Sequence, residues 1–164
     1  MNQYIFSTKE MFLLERNSRG DLYRQKNMSR NYRKMYELNN MHLLEHVPLS
    51  AINQFPSLKA YTGRYDWDDD AFVRFSHRRS SRKTGSVVHC FEYDYNFERF
   101  WTHMGNVIYE LKDFEAVFTP DFTMFVDAPE PHNKWQLFKS RLCGARMQIA
   151  GYNVIPTITY ADAS

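Results

Sequence analysis

Asp94, Asp121 and Asp162 each follow a short apolar run: Val87 to Tyr93, Ala116 to Thr119 and Val154 to Tyr160. In a parallel α/β sheet the C-terminal strand ends form one ligand-facing edge, because loops converge there and the following helices present free N–H groups. Carboxylates on that edge would hold a divalent cation such as Mg²⁺, which takes oxygen ligands, and Asp127 would join them. The same residues have ordinary structural uses, Asp94 as a helix cap and Asp121 in an Asx turn after Pro120. No local metal motif links any two of them. No cofactor is therefore expected, and Mg²⁺ is the ion this edge would take. His42 and His46 stand four apart, as zinc ligands on a helix do, but the segment His42-Leu43-Leu44-Glu45-His46 lacks the HExxH arrangement. His89 alternates with Val87 and Phe91 and reads as a core histidine. Cys143 reads as a small core residue. No Ser or Cys lies in a nucleophile elbow, and neither GxxxxGK[ST] nor GxGxxG occurs. The balance leans away from an enzyme.

Charge points elsewhere. The net charge of +2 is the sum of blocks of alternating sign. Residues 1–34 carry eight Lys/Arg against three acids, 35–72 two against six, 73–85 five against none, 86–130 two against nine and 131–164 four against one. In the first basic stretch Arg24, Lys26, Arg30, Arg33 and Lys34 are interleaved with Tyr23, Tyr32 and Tyr36, a mixture suited to phosphates plus base stacking on single-stranded or irregular RNA. In the second, Arg78, Arg79, Arg82 and Lys83 share a polar loop with Ser80, Ser81 and Thr84, all capable of donating to phosphate. The ordinary alternative for both is a solvated face. The acidic run Asp66-Trp67-Asp68-Asp69-Asp70 repels nucleic acid but suits an Arg-rich groove on a protein partner, with Trp67 as anchor. Its ordinary alternative is an acidic turn with Trp67 in the protein's own core.

The elements that must position these residues can be read from spacing. With 164 residues, 19.7 kDa and 43% hydrophobic content, one domain is expected over 1–164. It divides into an irregular or helical covering segment, 1–71, and an α/β core, 72–164. Apolar residues at three- and four-residue steps predict a helix from Asn96 to Lys112. A second is predicted from Pro131 to Ala150, with Gly151 as its stop. Ser29 to Leu44 has room for another. From Val87 the order is strand, helix, strand, helix, strand, which argues for parallel pairing. Phe72 to Phe75 reaches Val87 through a short polar connection, so a hairpin and antiparallel pairing are expected there. The fold class expected is thus α/β: a mixed, partly parallel sheet with a βαβαβ C-terminal half and an irregular basic N-terminal segment. No signal-peptide core, no apolar run of membrane-spanning length and no CxxC pair occur, so a cytoplasmic protein without membrane partners is expected.

The second half resembles a bacterial, phage and plasmid family known as a domain of unknown function. The resemblance is carried by Phe91 to Phe100 (FEYDYNFERF), by Phe114 to Thr123 ending in TPDFT with Asp127-Ala128-Pro129 beyond it, by Trp135 with Arg141 and Gly144, and by Gly151 to Thr157 (GYNVIPT). It implies an α/β fold and a mobile-element origin, and it implies no reaction. Members of that family continue past the last strand, so this chain is expected to be a C-terminally short member whose sites needing later strands are absent. Together these features lead to an accessory protein of a phage or mobile element that acts by binding nucleic acid or a nucleoprotein complex. The alternatives are a protein inhibitor of a host defence nuclease, in the manner of anti-CRISPR proteins, and a metal-dependent phosphoryl-transfer enzyme.

Overall fold

A computed structural model describes residues 29–63, 72–81 and 85–159. The chain forms two compact units, Met1–Glu45 and His46–Ser164. In the first, helix α1 (Arg30–Leu38) starts where the Ser29 hydroxyl accepts from the Tyr32 N–H at 3.2 Å, and a 3₁₀ turn follows at Met41–Leu44. That turn ends before His46, whose φ is 60°, so His42 and His46 do not share a helical face.

In the second unit β1 (Phe72–Arg74), β2 (Val87–His89), β3 (Ala116–Phe118) and β4 (Val154–Ile155) form one sheet in the order β1-β2-β3-β4. Every pairing is parallel. The expected α/β class holds, but the expected antiparallel hairpin does not: Phe72 pairs with Val87 and Val73 with Val88 in parallel register. The link, residues 75–86, is of the length a crossover minimally needs. After β1 it enters a 3₁₀ turn, Phe75–His77, and buries Arg78 over the Phe75 ring at 3.7 Å, which carries the chain away instead of folding it straight back.

Register sorts the side chains. Val73, Val88, Val117 and Val154 lie in one row on one face, and all four are buried. The helices cover this face. The predicted helix Asn96–Lys112 is instead three pieces, α2 (Asp94–Phe97), α3 (Arg99–Thr102) and α4 (Met104–Glu110). Thr102 Oγ1 donates back to the Glu98 carbonyl at 3.2 Å, and His103 leaves the helical region at φ −144°, ψ 46°. The apolar spacing survives the break, since Phe97, Phe100, Met104, Val107 and Leu111 are all buried.

The long helix α5 (Glu130–Ile149) matches its prediction within a residue at each end. Pro131 sits in its first turn, and Gly151, at φ 91°, closes it: the Tyr152 N–H reaches the Met147 carbonyl and the Gly151 N–H the Gln148 carbonyl, each at 3.0 Å. Helix α5 lies against α3, with Cys143 Sγ 3.5 Å from the Phe100 carbonyl. It also approaches β3 so closely that a Cβ on Gly144 would stand 2.5 Å from Thr119 Cγ2 and 3.1 Å from Leu58 Cδ2. Gly144→Ala should therefore destabilise the domain by about 1–3 kcal/mol through overpacking. Thr119→Ser in the same chain should recover part of that loss in urea melts, because it removes the clashing methyl; no recovery would place the strain elsewhere.

Candidate functional site

At the C-terminal strand ends the acidic residues serve as staples between loops. Asp94, which opens α2, accepts from the Thr123 N–H at 3.2 and 3.1 Å and from Thr123 Oγ1 at 2.7 Å. Asp121 accepts from Thr159 Oγ1. Glu92 accepts from the Ser76 N–H at 2.9 Å. Thr157 adds a reciprocal pair, its N–H donating to Thr119 Oγ1 at 2.8 Å and its hydroxyl to the Thr119 carbonyl at 2.9 Å. Asp94 and Asp121 do lie on the strand-end edge, each already engaged by a threonine. Asp162 falls outside the described residues, and among those described no group of three or more His, Cys, Asp or Glu is arranged to hold a metal ion. Burial pushes the thiols of Cys90 and Cys143 up, which leaves both in the unreactive form.

The second sheet face carries aromatic rings. Phe72, His89 and Phe118 project from it, and Phe91 follows β2 at the same end. Their centroids form a closed set: Phe72–His89 6.5 Å, Phe72–Phe118 6.3 Å, His89–Phe91 5.2 Å and Phe91–Phe118 5.3 Å. Toward the strand starts this face is shut: Val87 and Ala116 are buried, and Phe72, in the same row, is half-buried. Toward the strand ends it is open: Phe91 is 52% exposed and Arg74, beside His89 in the register, is exposed. Just beyond lie Tyr93 and Tyr95, 71% and 76% exposed and stacked on each other at 5.5 Å and 14°. Burial lowers the His89 pKa, Glu92 opposes that and Arg74 adds to it, so the ring is neutral at pH 7. Sequence reading took His89 for a core residue and missed this platform; its signal was the alternation Phe91, Tyr93, Tyr95.

The two basic stretches fare differently. On α1 the helical turn sends Arg30, Arg33 and Lys34 to one side and Tyr32 and Tyr36, stacked at 6.4 Å, to another, so charge and rings that interleave in sequence separate in space. Arg24 and Lys26 lie outside the described residues, as do Arg82, Lys83 and the acidic run Asp66 to Asp70 with Trp67. In the loop after β1, Arg78 is buried: its Nη1 donates to the Phe75 carbonyl at 2.7 Å, and its Nε and Nη2 donate to Glu110. Arg79 Nη2 donates to Glu110 Oε1 at 2.7 Å, and Arg99 reaches both oxygens, at 3.1 and 3.3 Å. Arg99 and Glu110 were not singled out by sequence.

A recess of about 530 Å³ lies at the other end of the sheet, between residues 57–63 and the segment from Gln148 to Val154. There the Gln148 amide reads the Lys59 backbone twice, accepting from its N–H at 2.9 Å and donating to its carbonyl at 2.8 Å. Of the candidate ligand residues weighed from sequence it gathers only His46. No described helix is long and apolar enough to cross a membrane.

These features define an α/β domain with a parallel sheet, helices packed on one face, and an aromatic, carboxylate-stapled C-terminal edge. The chain belongs to the family described as a domain of unknown function (DUF4417), which matches residues 48–164. The resemblance expected from the TPDFT and VIPT segments is thus borne out. Over 85 residues the chain is 36% identical to the Gene 1 protein of Mycobacterium phage L5, covering 52% of this chain and 37% of that protein. Over 85 residues it is 34% identical to the Gene 1 protein of Mycobacterium phage D29, covering 52% of this chain and 32% of that protein. The match therefore spans about a third of each relative, and both relatives are phage proteins. No solved structure matches.

Burial alone would raise the Glu110 carboxyl, but hydrogen bonds from Arg79 and Arg78 and the charges of Arg78 and Arg99 outweigh it and bring it from 4.5 down to about 2. Because the folded value is depressed, the stabilisation is complete above the unfolded value and is lost as pH falls through the folded one. At pH 7 Glu110→Gln should cost about 1.5–3 kcal/mol in denaturant melts. The gap from wild type should close between pH 4.5 and about 2; a gap that stays constant over that range would contradict this ionisation.

Proposed function

We propose that this protein is a phage-type accessory protein that binds an unpaired nucleic-acid strand on the aromatic end of its sheet. The observation that carries the reading is the exposed Phe91 ring, packed on the half-buried His89 and Phe118 rings beside the exposed Arg74. Parallel sheets are normally covered on both faces. Rings that remain exposed at the end of such a sheet offer flat surfaces to bases, and stacking contributes about 1–3 kcal/mol per base. His89 supplies a flat ring beside Phe91, and Arg74 supplies a phosphate contact. Tyr93 and Tyr95 extend the surface for a neighbouring base. The carboxylates of Glu92, Asp94 and Asp121 stand nearby, and that acidity disfavours a phosphate-dominated mode and favours recognition through the bases.

Two measurements test the reading together. Phe91→Ala should weaken binding of a fluorescent single-stranded oligonucleotide by about 5- to 150-fold, the equivalent of one lost stacking contact. The salt dependence should be shallow, with a log–log slope near −0.7 for the single phosphate contact of Arg74. Unaltered affinity in Phe91→Ala, or a steep slope abolished by Arg30, Arg33 and Lys34 substitutions, would move the site to α1.

A further inference from the structure

On the helix-covered side of the sheet three guanidiniums converge on the single carboxylate of Glu110. A carboxylate offers about four lone-pair sites, whereas three guanidiniums present about fifteen N–H groups. Glu110 receives contacts from Arg78 Nε and Nη2, from Arg79 Nη2 and from both terminal nitrogens of Arg99, so its acceptor capacity is filled. The cluster keeps a surplus of two positive charges.

The three arginines are not equivalent. Arg78 is 7% exposed, stacked on Phe75 and bonded to the Phe75 carbonyl, so it anchors Glu110 and is buried away from solvent. Arg79 is 70% exposed and Arg99 37% exposed. Both hold Glu110 Oε1, at 2.7 and 3.1 Å, which fixes two solvent-facing cations side by side at a spacing their mutual repulsion opposes. One carboxylate neutralises only part of that repulsion. A second anion seated against the N–H groups that Glu110 does not engage, on the Nε and Nη1 side of Arg79 and the Nε side of Arg99, would relieve the rest, and planar guanidinium edges match tetrahedral oxyanions in geometry.

We propose that Arg79 and Arg99 form a phosphate subsite, organised by Glu110 and Arg78, that takes a phosphate monoester. A monoester dianion balances the surplus of two charges, whereas an internal phosphodiester balances half of it. The group would come from a small phosphorylated metabolite or from the terminal phosphate of a nucleic-acid strand. The proposal does not rest on the aromatic platform, which lies on the opposite face of the sheet.

The experiment is a titration of the full chain with inorganic phosphate, followed through the arginine Nε–H signals and matched to chloride at equal ionic strength. Phosphate should shift the Arg79 and Arg99 signals with a saturable millimolar response, and chloride should not. Arg79→Ala, at a largely exposed position, should weaken that response about tenfold, and Arg99→Lys should weaken it as well, because charge without the fork is insufficient. Phe91→Ala should leave it unchanged. A second arm compares a nucleoside 5′-monophosphate with short oligonucleotides that carry or lack a 5′-phosphate: preference for the phosphorylated strand assigns the nucleic-acid end, and equal binding of the free nucleotide assigns the metabolite. No shift with phosphate, or a shift that survives both arginine substitutions, overturns the proposal.

Discussion

The row of Val73, Val88, Val117 and Val154 crosses all four strands at one level, and the need to bury it governs the rest of the domain. These side chains can leave water only if the helical segments after β2 and β3 lie on the same face. That brings α5 onto α3 and onto β3, where Gly144 has no room for a side chain. With both helical connections used on one face, the described residues leave the strand ends of the other face open. The exposed Phe91 ring there is a consequence of how the valine row is covered.

Charge is deployed on the same plan. Carboxylates at the strand ends tie one loop to the next through threonine hydroxyls and backbone N–H groups, which holds Phe91, Tyr93 and Tyr95 on a fixed edge. The arginines after β1 are drawn to Glu110 and fasten the crossover to α4. A loop that reads as a free phosphate-binding stretch is thus partly structural: Arg78 is committed to the fold, and Arg79 is held in place while remaining open to solvent.

How much of this was legible depended on whether the signal was local. Helix α5 could be read closely because Pro131 and Gly151 punctuate it. The break at His103 could not, because Phe100, Met104 and Val107 keep helical spacing across it. Parallel pairing of β1 was hidden for a different reason: a connection of that length fits a hairpin or a crossover, and what accompanies the crossover is the tertiary contact of Arg78 with Glu110, thirty-two residues on. The Arg99–Glu110 contact joins residues eleven positions apart in a stretch whose overall charge is acidic, so charge counting passed over it. Phe72, His89 and Phe118 alternate like core residues, and nothing local distinguishes a covered face from an open one.

The proposed site places bases directly against the aromatic end of the sheet. Ultraviolet cross-linking of the full chain to a single-stranded oligonucleotide, with mass spectrometry of the cross-linked peptides, reads this at residue level. Cross-links concentrated on Phe91, Tyr93 and Tyr95, and competed away by unlabelled strand, are the result the account predicts. Cross-links confined to Arg30–Leu38, or none above those of an unrelated protein, would contradict it.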